Sequence, residues 1–188
     1  MILDNNTLYP IIYQNTDALD FLRSNNDPWV GTPYQGYVYI DPKQKGAFGE
    51  MIVADFMTRR GHTVLPRTNT GHDTTIDGIK VENKFSVANR SKKGIVQPNC
   101  FIFNHFSIGK DWERAILMGV NPNTAHLVWF TRDDLETHLL ESKPKRFLSR
   151  GQGGAKGNND DWLYNSKSKK KAWPLFINLP WVKSLDQW

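Results

Sequence analysis

The chain has 188 residues, of which 39% are hydrophobic and 23% are charged, values typical of one globular domain with a substantial core. Its one cysteine, Cys100, excludes an internal disulfide framework and a zinc site built from several cysteines, and no apolar run approaches the roughly 18 residues of a membrane span. The formal net charge is +5, and the basic excess is concentrated in one stretch near the C-terminus.

Residues 1–45 combine aromatic side chains with turn formers such as Pro33 and Gly36. We predict an arm with one helix near residues 16–24, used for dimerisation or for packing on the core. The N-terminus lacks the basic region and apolar run of a signal peptide, so we expect a cytoplasmic protein.

A helix is predicted over residues 46–60, because Phe48, Ile52 and Phe56 recur at four-residue spacing. Glu50 borders this apolar stripe. Acids are rarely buried unless they are paired or bound to a metal, so Glu50 is a candidate metal ligand. The alternative is a salt bridge near the helix N-terminus.

A short strand over residues 62–65 leads into a predicted β-hairpin. The dipeptide Asp77-Gly78 lies between two β-rich runs, which is a strong signal for a two-residue hairpin turn. With that turn, facing residues have numbers that sum to 155, so Asp73 faces Glu82. Side chains alternate along a strand, which places Asp73, Glu82 and Lys84 on one face and Asn83 on the core face.

Two facing carboxylates repel each other unless a cation lies between them. Magnesium takes oxygen ligands of this kind, and a lysine beside them can hold an attacking water and stabilise a charged transition state. The hairpin therefore predicts metal-assisted phosphodiester hydrolysis by Asp73, Glu82 and Lys84. The alternatives are a charged solvent face, and Asp77 in place of Asp73 as the first acid.

The acid-x-Lys pattern of Glu82-Asn-Lys84 occurs twice more, beginning at Asp41 and at Glu141. The triplet at Asp41 contains a proline, which excludes a central strand. The triplet at Glu141 lies at a predicted helix end and has no upstream hairpin acid. Only the triplet at Glu82 combines a strand with a facing acid.

Beyond a polar loop at residues 86–99 we predict a strand at 100–106, a helix at 110–118, a strand at 125–130 and a helix at 132–140. The fold class is therefore α/β (α+β), with a mixed β-sheet flanked by helices. Residues 143–171 then contain nine lysines and arginines but only two acids. Such a cluster attracts phosphate backbones, unless it is simply a solvated tail.

The hairpin residues resemble the PD-(D/E)xK nuclease superfamily, whose restriction-endonuclease-like fold has the core order α-β-β-β-α-β. Residues 63–73 are also locally similar to PvuII-like type II restriction endonucleases. The resemblance implies that Asp73 and Glu82 ligate Mg²⁺ (Mn²⁺ substituting), that the Asn83 carbonyl assists and that Lys84 serves the attacking water. Some branches of the superfamily also have a helix acid like Glu50, which implies a metal role for that residue. The triplet's middle residue is usually apolar in this family, and here His72 replaces the proline before Asp73.

We predict one nuclease domain over residues 1–188, comprising the arm (1–45), a catalytic core (46–140) and a basic DNA-binding or packing segment (141–188). The favoured function is a homodimeric type II restriction endonuclease that cuts double-stranded DNA, without a membrane or a small-molecule cofactor. The alternatives are a phage, homing, toxin, repair or junction nuclease of the same fold, and a non-catalytic DNA-binding module. Residues of types that bind phosphates or base edges are the candidate DNA contacts: Asn89, Arg90, Lys92, Lys93, Asn104, His105, Arg150, Gln152, Lys156 and Asn158.

Overall fold

A computed structural model describes residues 27, 29–68, 71–88, 96–107, 109–122, 124–141, 148–150, 161–165 and 172–188. Short 3-10 helices at Tyr37–Tyr39 and Leu185–Gln187 accompany the main elements. In chain order these are α1 (Pro42–Arg59), β1 (Val64–Pro66), β2 (Thr74–Ile76), β3 (Ile79–Val87), β4 (Ile102–Ser107), β5 (Arg114–Val120), β6 (Ala125–Thr131), α2 (Arg132–Glu141), β7 (Leu148–Arg150), β8 (Asp161–Asn165), α3 (Ala172–Ile177) and β9 (Lys183–Ser184).

The main sheet has six strands in the order β1-β2-β3-β5-β6-β9. Strands β3 and β5 are parallel, and the other neighbouring strands are antiparallel. The predicted fold class, a mixed sheet flanked by helices, is confirmed. A parallel pair requires a long crossover connection, and here that connection contains β4, which belongs to a second sheet of order β4-β8-β7.

Helix α1 begins four residues earlier than predicted. Asp41 caps it by accepting hydrogen bonds from the backbone of Lys43 and Gln44, the Gln44 side chain completes a capping box, and Pro42 occupies the first turn. The triplet at Asp41 is therefore a helix cap and not part of a strand. Val53 and Met57 of α1 pack against Ile76 of the hairpin, forming the core on one side of the main sheet.

The predicted helix at residues 110–118 is wrong, because Arg114–Val120 is the central strand β5. Residues 115–120 are all buried, with Leu117 in the aromatic core on one side of the sheet and Ile116 in the α1 core on the other. A strand buried on both faces has a continuous apolar run rather than alternation. The α-β-β-β-α-β order therefore lacks its second helix, and a crossover through β4 takes its place.

The side of the main sheet away from α1 is covered by the second sheet and by α3. The largest buried side chains lie in this layer, including Phe101, Phe103, Phe106 and Trp173. The predictions of a strand near 100–106, a strand at 125–130 and a helix at 132–140 are confirmed within one or two residues. The predicted 62–65 strand is shifted to Val64–Pro66, with proline at the end of an edge strand.

Part of the predicted arm lies within the described residues. Trp29 is fully buried in the aromatic core, and Tyr34 and Tyr37 contact the rings of Phe48 and Phe85. This part of the arm therefore packs on the core, whereas the helix predicted near residues 16–24 lies outside the described residues. Among the described helices, none has the length and apolar character needed to cross a membrane.

Candidate active site

The β2–β3 hairpin has the predicted register, with Ile76 opposite Ile79 and Thr74 opposite Val81. Asp77 and Gly78 both have positive φ angles, of 51° and 83°, as a two-residue turn of this type requires.

Asp77, the rival first acid, is exposed at this turn. Its carboxylate accepts a hydrogen bond from the Thr63 backbone at 2.9 Å and pairs with His62 at 2.7 Å. These contacts lower the pKa of Asp77, the Thr63 bond contributing most. Asp77 therefore connects the turn to the chain before β1.

Asp73 lies one residue beyond the paired part of β2 and extends the hairpin toward Glu82. Its backbone N–H donates to the Val81 carbonyl at 2.9 Å, and its Oδ2 accepts from the Asn83 N–H at 2.8 Å. These two bonds fix the Asp73 carboxylate beside the backbone that carries Glu82 and Lys84.

Glu82 is buried in the central strand β3, with 1% of its side chain exposed. Its Oε1 accepts a hydrogen bond from Lys84 at 2.5 Å, and Lys110 Nζ lies 3.4 Å away from the same oxygen. Oε2 is also buried and has no hydrogen-bond partner among the described residues. A buried carboxylate oxygen is costly unless a donor or cation compensates it, so Oε2 is a candidate metal-ligating atom.

Glu50 reaches the same place from helix α1. Gly49, its neighbour, contacts β3 so closely that an added Cβ atom would lie 2.2 Å from the Phe85 Cβ. Burial raises the pKa of the Glu50 carboxyl, the charge of Asp73 raises it further, and Arg67 and Lys84 lower it. The charged groups that act on Glu50 are Asp73, Glu82 and Lys84 of the hairpin, together with Arg67 after β1.

Asn83 points to the core face, as predicted, and is 9% exposed. Its side-chain amide donates to the Thr74 hydroxyl at 3.0 Å, whereas its Oδ1 has no hydrogen-bond partner within the described part of the chain. The facing strand β2 thus provides an acceptor for the amide nitrogen of this buried polar side chain.

The donor set suits a hard divalent cation. No three His, Cys, Asp or Glu side chains of the described segments are already gathered into a metal cage. Magnesium does not need one, since it keeps several waters and binds through one or two carboxylates together with substrate phosphates. Glu82 Oε2 offers a buried acceptor, the Asp73 carboxylate is bonded to the next residue, Asn83, and Glu50 is close enough to both acids for each to raise its pKa.

Three predicted DNA contacts, Asn104, His105 and Arg150, lie within the described residues. Asn104 and His105 are exposed on β4, at a bulge between Phe103 and Phe106, and His105 has a φ of 59°. Bulges of this kind redirect side chains next to active sites. Arg150 is the last residue of β7. The other predicted contacts lie outside the described residues: Asn89, Arg90, Lys92, Lys93, Gln152, Lys156 and Asn158.

Sequence reasoning missed two cations at the site, Lys110 and Arg67. Lys110 is 28 positions from Glu82 in the chain, in a segment predicted to be helical, and Arg67 follows the short strand β1. Neither belongs to a recognisable motif. Only the parallel pairing of β3 with β5, which places the loop before β5 beside Glu82, could have indicated Lys110.

No protein-family model matches the chain, and no curated protein matches it. Among solved structures, the chain is similar to the bacterial homing endonuclease I-Ssp6803I, with 20% sequence identity and a TM-score of 0.38. The similarity covers 50% of this chain and 67% of the other. At that identity and TM-score, the likeness carries no argument about the function of this chain.

Proposed function

We propose that this chain is a Mg²⁺-dependent endonuclease that hydrolyses phosphodiester bonds in double-stranded DNA. The observation that carries the proposal is the hairpin itself, where the Asp73 carboxylate accepts from the Asn83 N–H and the neighbouring Glu82 carboxylate accepts from Lys84. Acid pairs with a neighbouring lysine suit metal-assisted hydrolysis, and the second Glu82 oxygen is buried without a partner in the described part of the chain.

In this proposal Asp73 and Glu82 hold the metal, with the carbonyl of Asn83 and the carboxylate of Glu50 as additional ligands, and Mn²⁺ can substitute for Mg²⁺. When bound, the metal supplies Lewis-acid polarisation of the scissile phosphate and neutralises developing charge. The Asp73–Asn83 hydrogen bond keeps the first acid in place. Burial and the charge of Asp73 raise the pKa of Glu50, and a cation bound beside these acids would lower it again.

Lys84 is the residue that serves the attacking water. Its side chain is 16% exposed and lies over the Phe106 ring at 5.8 Å, so its ammonium has limited freedom. As the water oxygen bonds to phosphorus, its proton passes to solvent, the bond from phosphorus to the leaving oxygen breaks and that oxygen takes up a proton from solvent. Lys84 orients the attacking water and stabilises the negative charge on the phosphoryl oxygens. Its hydrogen bond to Glu82 positions it for this role.

Double-stranded DNA is the proposed substrate because the net charge is +5 and residues 143–171 are strongly basic. One active site per chain cuts one strand, so a homodimer on a symmetric sequence would cut both. This reasoning favours a type II restriction endonuclease within the PD-(D/E)xK superfamily.

Digestion of long DNA tests the proposal. The purified protein is incubated with Mg²⁺, with Mn²⁺ or with EDTA, and the ends of the products are sequenced. We expect cleavage with either metal, none with EDTA, and discrete fragments that share one terminal sequence. Products with random ends would overturn the restriction-enzyme assignment but would still support a nuclease. Cutting confined to branched DNA would indicate a junction enzyme. Binding without cutting would indicate a non-catalytic DNA-binding module.

A further inference from the structure

We propose that Lys110 is a phosphate-binding residue of the active site, held on Glu82 until a divalent cation takes its place. This inference rests on the proposed nuclease function and adds a residue to the same site. Lys110 Nζ lies 3.4 Å from Glu82 Oε1, the oxygen that already accepts the shorter hydrogen bond from Lys84.

The two lysines at Glu82 differ in accessibility. The side chain of Lys84 is 16% exposed and that of Lys110 is 39% exposed. The long contact and the greater exposure make Lys110 the ammonium that leaves more easily. Lys84 stays on the same Glu82 oxygen when Lys110 leaves, so the buried carboxylate keeps a cation beside it.

The backbone of Lys110 is firmly placed, although its side chain is not. Its N–H donates to the Ser107 carbonyl at 3.3 Å, and its carbonyl accepts from Arg132 at 2.9 Å. Arg132 is in turn held by Glu136 at 2.8 Å. The side chain of Lys110 can therefore move while its backbone stays in place. Binding a substrate phosphate would then require a change of side-chain conformation and no movement of the loop.

The charge balance of the site explains why a phosphate would draw Lys110 away. Three carboxylates, on Glu50, Asp73 and Glu82, are matched by the cations of Lys84, Lys110 and Arg67. A divalent cation adds two positive charges, and the site then has an excess that an anionic phosphate neutralises. Lys110, the loosely held cation on Glu82, is the one displaced toward that phosphate.

The test measures DNA affinity against salt concentration for wild type and Lys110→Met. The probe is a labelled duplex that wild type cuts with Mg²⁺, and binding is measured with Ca²⁺ and separately with EDTA. With Ca²⁺ we expect Lys110→Met to bind about tenfold more weakly and to reduce the slope of log K against log salt by about 0.9, the value for one phosphate contact. With EDTA, Lys110 stays on Glu82, so we expect wild type and Lys110→Met to have the same slope of log K against log salt.

Lys80→Met is the matched control, because Lys80 is also paired with one carboxylate, Asp111, and its side chain is 40% exposed. It is expected to leave both slopes unchanged. Lys110→Arg should retain the wild-type slope, and Lys110→Met should bind Ca²⁺ at least as tightly as wild type because the cation no longer displaces an ammonium. If the Met variant is poorly folded, Lys110→Gln replaces it.

The Lys110 inference is overturned if wild type and a folded Lys110→Met have equal slopes of log K against log salt in Ca²⁺. It is also overturned if Lys80→Met changes that slope as much as Lys110→Met does. Cleavage by wild type in the same series keeps the proposed function in either case. If wild type neither binds nor cuts any DNA, the proposed function fails, and the Lys110 inference fails with it.

Discussion

The two carboxylate oxygens of Glu82 have different surroundings. Oε1 lies near two ammonium groups, from Lys84 and Lys110, whereas Oε2 is buried without a donor among the described residues. A buried carboxylate is tolerated when its charge is compensated, and the lysines provide that compensation here. The second oxygen is the atom of Glu82 that we propose as a metal ligand.

The carboxyl group of Glu50 gives a second prediction for an individual residue. Because its folded-state pKa lies above the usual 4.5, its contribution to stability is fully present below pH 4.5 and is lost as the pH rises through the raised value. In metal-free protein, Glu50→Gln should therefore become more stable relative to wild type as the pH increases from 4 to 8. Urea unfolding in EDTA measures this difference.

Asp55→Asn is the control for that measurement, since Asp55 lies on the same helix in an exposed pair with Arg59. Its effect should vary little with pH. A Glu50→Gln variant with no increasing advantage above pH 4.5 would show that Glu50 bears no electrostatic cost in the folded protein.

Helix α1 approaches β3 through Gly49, and this contact gives a prediction at the scale of elements. In an exposed helix position, Gly→Ala stabilises by about 1 kcal/mol. At Gly49 the added methyl group would lie 2.2 Å from the Phe85 Cβ, so we expect destabilisation by about 1–3 kcal/mol. Urea unfolding should show the loss, and DNA cleavage should fall because Glu50 moves with the helix.

Gly46→Ala provides the opposite expectation on the same helix. An added Cβ there has nothing within 4 Å, so this substitution should stabilise the protein. Stabilisation by both substitutions would mean that α1 is not pressed against β3 at Gly49.

The hairpin was predictable from sequence, whereas β5 was not. A two-residue turn fixes the register over a few residues, so the Asp77-Gly78 dipeptide sufficed to align Thr74 with Val81. Strand β5 is apolar on both faces, and its periodicity does not distinguish a buried strand from a helix. Its assignment depends on pairing with β3 and β6, which are remote in sequence.

The same distinction applies to the site. Asp73, Glu82 and Lys84 share one hairpin, and the sequence predicts that they lie together because their spacing fixes their face. Lys110 reaches Glu82 only because the parallel β3–β5 pairing brings its loop to the hairpin. Contacts that depend on tertiary pairing leave no local pattern.

At the scale of the whole molecule, the main sheet is covered on one side by α1 and on the other by the aromatic layer of the second sheet and α3. The acids of the hairpin lie within this apolar framework, and Lys110 and Asp73 are only partly buried. Burial of Glu82 in this framework strengthens its electrostatic interactions with the lysines beside it.

The most direct test of Asp73 as an acid of the proposed active site compares the cleavage of supercoiled plasmid by Asp73→Asn and Asp77→Asn. Both variants exchange a carboxylate for an amide on one hairpin, and asparagine is well tolerated at the turn position of Asp77. With Mg²⁺, we expect Asp77→Asn to cut like wild type and Asp73→Asn to lose at least about 100-fold in rate, the scale on which active-site groups act. Equal cutting by both folded variants would contradict the assignment of Asp73 and, with it, the proposed active site.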